Sequence, residues 1–193
     1  MQPGILLDRD GVINANRVDH VKSWAEFQFL PGALASLRAL AALDVPIAVI
    51  TNQSAIGRGL VSQAVIEEIN ARMVAQVRKA GGRIDGVWYC PHAPEAGCSC
   101  RKPQPGLLLE AARVLGLDLS RSCLIGDAMS DMQAAQAVGC PAALVITGRG
   151  TAQLTVMQAA GLTGFHIAQD LRDAVKWVYG MLCVEGKIGE GTS

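Results

Sequence analysis

Aromatic residues are scarce in this chain: three Phe, three Trp and two Tyr make up 4% of 193 residues. Its core must therefore be built from Ala, Val, Leu and Ile. Neither sign of charge is in excess, with 17 Lys+Arg against 17 Asp+Glu, so nothing in the charge balance suggests a nucleic-acid or membrane surface. No apolar run reaches the roughly 18 residues that a membrane span needs. No basic segment leads into a signal-type apolar stretch, because Asp8 comes too soon. Internal repeats, low-complexity tracts and long linkers are also missing. These absences lead to the expectation of a cytoplasmic monomer with one domain over residues 1–185 and a disordered tail at 186–193.

What is present begins with Ile5-Leu6-Leu7-Asp8-Arg9-Asp10-Gly11. Three apolar residues run into two carboxylates one position apart, as a short buried strand would if it ended at the carboxyl edge of a sheet. In open α/β sheets that edge is where ligands bind. Two like charges so close require a cation or a shared proton.

Residues 12–28 read as a polar loop over that strand end, and Leu34, Leu37, Leu40 and Leu43 follow at helical spacing. Further strands are expected at 45–50, 87–89, 122–125 and 142–146, with an edge strand at 165–167. Helices are expected at 62–80, where Ser62 is the N-cap, and at 105–115, 130–138, 151–160 and 171–182. Strands alternating with helices predict a Rossmann-like α/β fold, a parallel sheet with helices on both faces.

Three more polar clusters each follow a predicted strand: Thr51-Asn52-Gln53-Ser54, Arg101-Lys102, and Gly126-Asp127 with Asp131. Singly, each has an ordinary structural use as a turn, a solvated surface or a helix cap. Together they supply acids for Mg²⁺, donors and a cation for phosphate, and a carboxylate nucleophile.

The six cysteines fall into two groups. Cys123, Cys140 and Cys183 stand alone among apolar neighbours and read as small buried hydrophobes. Cys90, His92, Cys98 and Cys100 fall within eleven residues, a set suited to a closed tetrahedral Zn²⁺ site.

In this order the clusters resemble the four motifs of haloacid dehalogenase-type phosphatases. The blocks at 6–14, 51–59, 90–106 and 126–135 are most similar to the heptose bisphosphate phosphatases and the related histidinol-phosphatases. The resemblance implies a capless fold with a zinc-binding loop at 90–100 and a catalytic Mg²⁺ held by Asp8, Asp127 and the Asp10 carbonyl. Asp8 would be the nucleophile, Asp10 the acid/base, Thr51 a phosphoryl donor and Lys102 the neutralising cation. Asp131 would support either Asp127 or the lysine. The implied substrate contacts are Asp8, Arg9, Asp10, Thr51, Asn52, Gln53, Ser54, Arg101 and Lys102, with Arg58 and Lys22 as weaker candidates for a second phosphate. One departure stands out: Ala128 occupies a position where such relatives often carry Lys or Asp.

The expected reaction is Mg²⁺-dependent removal of the 7-phosphate from D-glycero-D-manno-heptose 1,7-bisphosphate. Histidinol phosphate is the alternative substrate, and a catalytically silent phosphosugar- or zinc-binding module the alternative of a different class.

Overall fold

The structure, a computed structural model, describes residues 1–185; the expected tail at 186–193 lies outside the described residues. Six parallel strands form one sheet: β1 (Ile5–Leu7), β2 (Ile47–Asn52), β3 (Gly86–Cys90), β4 (Cys123–Gly126), β5 (Ala142–Val145) and β6 (His166–Ala168). The helices are α1 (Ala33–Ala41), a short α2 (Ser54–Gly57), α3 (Gln63–Lys79), α4 (Gly106–Leu115), α5 (Met129–Gln136), α6 (Gly150–Ala159) and α7 (Leu171–Glu185). Ser62 caps α3 by accepting from the Val65 N–H, and Gly116 closes α4 with a left-handed φ of 67°.

Strand alternation divides the core into two layers. Ile5, Leu7, Ile47, Val49, Cys123, Ile125, Ala143 and Val145 pack on one face with buried residues of α1, α3 and α7. Leu6, Ala48, Ile50, Leu124, Ala142 and Leu144 point to the other, against α4, α5 and α6. The strand order β3-β2-β1-β4-β5-β6 explains this division. The chain adds strands outward from β1 to β3, returns to lay β4 on the other side of β1, then continues outward. Crossovers of one hand require the helices to change faces when the direction of addition reverses. The reversal lies between β1 and β4, so their carboxyl ends diverge and leave a crevice there.

The structure differs from the sequence expectations in local ways. β2, β3 and β4 run on to Asn52, Cys90 and Gly126, because polar residues at a strand end still complete backbone pairing, as in Thr51 opposite Tyr89 and Asn52 opposite Cys90. Leu43 lies beyond α1, and α2 had no signal in the sequence pattern. The segment at 12–28 is not merely a polar cover: Val12, Ile13, Val21 and Phe27 anchor it in the core. Cys123 and Cys140 are buried as expected, whereas the Cys183 side chain lies outside the described set.

Candidate active site

Asp8 follows β1 directly, its N–H bonded to the Ile125 carbonyl of β4 at 2.8 Å. The strand thus delivers its carboxylate, 4% exposed, into the crevice. Lys102 arrives from the far side of the sheet. Its Nζ lies 3.1 Å from Asp8 Oδ1 and 2.5 Å from Asp131 Oδ1, and donates to the Ile50 carbonyl at 2.7 Å. Asp131 therefore supports the lysine, and its second oxygen accepts from the Ala128 N–H at 3.0 Å. Asn52 pins Lys102 from both sides, donating to its carbonyl at 3.0 Å and accepting from its N–H at 3.1 Å.

Asp8, Asp127 and Asp131 bring carboxylate oxygens within 4.8 Å of one another. Burial pushes Asp8 up to about 6; Lys102 opposes the rise, and the charges of Asp131 and Asp10 add to it. Asp127 is raised by burial and by Asp8 against the pull of Arg149. Burial alone would lower Lys102, but Asp131 and Asp8 outweigh it and hold its ammonium above the usual range. Hard oxygen donors carrying more negative charge than one lysine offsets are a donor set suited to Mg²⁺.

The two acids of the opening motif part company. Asp10 accepts from Asn14 Nδ2 at 2.8 Å, from Gln53 Nε2 at 2.7 Å, and from Arg9 Nη2 at 3.2 and 3.0 Å. Burial works against its charge, but Arg9 with Asn14 and Gln53 overcomes this and keeps Asp10 below the usual carboxylate range. Gln53 Nε2 also donates to Thr51 Oγ1 at 2.9 Å, which links the acid to β2.

Arg9 turns inward. Its side chain is fully buried, with Nη1 on Asn70 Oδ1 at 2.9 Å and Nη2 shared between Asp10 and Gln53 Oε1. A guanidinium committed in this way holds Asp10, and Arg9 is not among the residues that line the cavity. Of its partners in this network, Asn14 lay in the motif block at 6–14 without an assigned role, and Asn70 carried no sequence signal beyond being polar.

Asp127 sits in a cradle of backbone. Gly11 (φ +90°) and Gly148 (φ +59°) press so closely on Asp127 Oδ2 that a Cβ at either position would collide with it. Thr147 Oγ1 donates to the Gly11 carbonyl at 2.7 Å and ties the two loops together. Arg149 closes the group: its N–H donates to Asp127 Oδ2 at 2.8 Å, and its Nη2 lies 3.1 Å from Oδ1. Thr147-Gly148-Arg149 went unremarked in the sequence because it reads as a strand-to-helix turn. Its place after a predicted strand was the only available signal.

These groups open onto a cavity of about 570 Å³ lined by Asp8, Asp10, Thr51, Asn52, Gln53, Ser54, Arg101 and Lys102. Arg17 and His20 enter from the loop over β1, and Ser130 and Arg149 from the other side. Lys22 and Arg58 do not line it. Lys22 is drawn to Asp19 Oδ2 at 2.6 Å, and Arg58 is exposed beyond α2.

Next to Arg101, the thiols of Cys90, Cys98 and Cys100 stand 3.2–3.5 Å apart, with His92 Nδ1 at 3.3 Å from Cys100 Sγ and 3.5 Å from Cys90 Sγ. A tetrahedron with such edges has its centre about 2.1 Å from each corner, equal to a Zn–N bond and about 0.2 Å short of a Zn–S bond, so a small outward shift of the thiols would admit the ion. Burial opposes a thiolate at Cys98, yet donation from Cys100, Cys90 and nearby N–H groups brings it down to about 6, so the loop offers an anion at neutral pH. Four protein donors of this type fit a closed Zn²⁺ site.

Comparison with known proteins identifies the family. The HAD-hydrolase-like family model matches residues 99–174. The chain is 41% identical over 150 residues to the D-glycero-β-D-manno-heptose-1,7-bisphosphate 7-phosphatase of Pseudomonas aeruginosa, covering 78% of this chain and 84% of that one. It is 42% identical over 151 residues to the enzyme of that name from Neisseria meningitidis, covering 78% and 81%. The crystal structure of D,D-heptose 1,7-bisphosphate phosphatase from Bordetella bronchiseptica with magnesium and phosphate superposes with a TM-score of 0.87 at 37% identity, covering 93% of this chain and 99% of that one. The chain belongs to the D-glycero-β-D-manno-heptose-1,7-bisphosphate 7-phosphatase family of haloacid dehalogenase-like hydrolases.

Proposed function

We propose that this phosphoric monoester hydrolase removes the 7-phosphate from D-glycero-D-manno-heptose 1,7-bisphosphate. The observation that carries the reading is the separation of two adjacent acids. Asp8 is paired with Lys102, Asp10 belongs to the Arg9–Asn14–Gln53 network, and both face one cavity.

An Asp8 oxygen attacks phosphorus while the bond to the sugar oxygen breaks, and Asp10 gives its proton to the departing alkoxide. In the second half Asp10 takes a proton from water, the water oxygen attacks phosphorus, and the Asp8–phosphate bond breaks to release inorganic phosphate. Asp10 is ionised in the free protein, and a phosphate dianion placed beside it works against that charge, so it takes up its proton as substrate binds. Thr51 donates to the phosphoryl oxygens, with Asn52, Gln53 and Ser54 beside it. Lys102 holds Asp8 in line, and Asp131 holds Lys102. Asp8, Asp127 and the Asp10 carbonyl would hold Mg²⁺, which would supply charge compensation for the phosphoryl group. The Zn²⁺ loop stiffens the segment that carries Arg101 and Lys102.

The cations Arg17, Arg101, Lys102 and Arg149 line the cavity, whereas among the described residues its only acidic lining residues are Asp8 and Asp10. This balance suits a second phosphate and disfavours the cationic tail of histidinol phosphate. We infer a monomer as the working unit and assign it to the cytoplasm. No described helix is long and apolar enough to cross a membrane. The test is phosphate release with Mg²⁺ from both substrates. Faster turnover of histidinol phosphate overturns the substrate assignment, and a fully active Asp8→Asn variant overturns the mechanism.

A further inference from the structure

We propose that Arg149 is an exchangeable cation of this site. It neutralises Asp127 while no divalent ion is bound there and turns onto the phosphoryl oxygens when a metal takes that carboxylate. Asp127 is fully buried, yet the Arg149 side chain paired with it is half exposed and lines the cavity. The pair thus joins an immobile acid to a base with room to move.

The attachment is divided in a way that permits exchange. The Arg149 N–H holds Asp127 Oδ2 at 2.8 Å, and its guanidinium meets Oδ1 at 3.1 Å and Oδ2 at 3.4 Å. Turning the side chain away leaves the backbone contact, and with it the aim of Asp127, unchanged. The need for a second cation follows from the charges: Asp8, Asp127 and Asp131 lie within 4.8 Å of one another, and Lys102 reaches only Asp8 and Asp131. Ala128, directly after Asp127, brings no charge of its own. A divalent ion on Asp127 repels the guanidinium, and a phosphate in the cavity offers it the paired oxygens that its planar fork matches.

The exchange onto phosphate rests on the phosphatase reading above; the competition with metal does not. Isothermal titration calorimetry on the full chain, zinc retained and magnesium removed, uses Mg²⁺ alone and then inorganic phosphate at saturating Mg²⁺. Arg149→Ala is expected to bind Mg²⁺ about fivefold more tightly, within the usual range of site–site coupling. It is expected to bind phosphate about tenfold more weakly, as loss of one charge-assisted pair entails. Arg149→Lys, which keeps the charge without the fork, should fall between on phosphate, and Arg149→Gln serves if the alanine variant does not fold. Unchanged or weaker Mg²⁺ binding overturns the competition, and unchanged phosphate binding overturns the exchange. Both shifts in a protein that does not hydrolyse the heptose bisphosphate support Arg149's role and refute the substrate assignment instead.

Discussion

Replacing Arg9 with leucine removes a guanidinium that has no surface exposure and four close contacts: one to Asn70 Oδ1, two to the Asp10 carboxylate and one to Gln53 Oε1. The substitution leaves the side-chain oxygens of Asn70 and Gln53 without that donor and takes the counter-charge from Asp10. Removing one partner of a buried ion pair costs about 3–5 kcal/mol. Asp10 is 19% exposed, so water restores part of its solvation and the lower end, about 3 kcal/mol, applies. For a chain of this length each kcal/mol lowers Tm by about 2–4 °C, giving a fall of roughly 6–12 °C.

Thermal and urea unfolding of Arg9→Leu, Asp10→Asn and the double variant would measure the loss and the part due to this pair. Asp10 should also titrate at higher pH in Arg9→Leu, because its strongest opposing charge is gone, and carboxyl NMR would follow that change. A loss below about 1 kcal/mol, the level of an exposed pair, would refute the reasoning. So would an equal loss in the Asp10→Asn background, or a raised KM with stability intact.

Lys102→Met should lower kcat by about 10²–10³-fold, as loss of one charge-stabilising donor does elsewhere, with steady-state kinetics as the check. Removing zinc with a chelator should lower Tm and activity while the Mg²⁺ requirement persists; a zinc-free protein with unchanged melting would contradict the structural role of Cys90, His92, Cys98 and Cys100. Burial raises Asp8 to about 6 in the folded chain, above its ordinary 3.8, so the metal-free protein should lose stability as pH rises from about 4 to 6. Because Mg²⁺ needs the ionised acid, the rise in Tm that it causes should be larger at pH 7.5 than at pH 5, and differential scanning fluorimetry at the two values would show it. Gly148→Ala should weaken Mg²⁺ binding, measured by calorimetry, because its Cβ meets Asp127 Oδ2 and the Gly11 backbone.

The sequence by itself carried the alternation of strands and helices, since runs such as Ile47–Ile50 and Leu124–Ile125 and the helical spacing of Leu37 and Leu40 are local patterns set by burial on a sheet face or helix stripe. It also carried the acids at strand ends and the Cys90–Cys100 ligand set, because spacing within eleven residues already limits how a loop can fold around one ion. The resemblance already implied Lys102, 94 positions on, as the cation beside Asp8. The partners of Asp10 were decided only by tertiary structure, where Arg9, braced by Asn70 of α3, takes that acid. Arg9 was expected to contact substrate, and its burial was not legible because burial of a guanidinium depends on acceptors that arrive from other elements. Arg149 was unreadable for the same reason: its meaning comes from Asp127, which reaches it only because β4 and β5 lie side by side. Periodicity is a property of neighbours along the chain, whereas a charge finds its counter-charge across the fold.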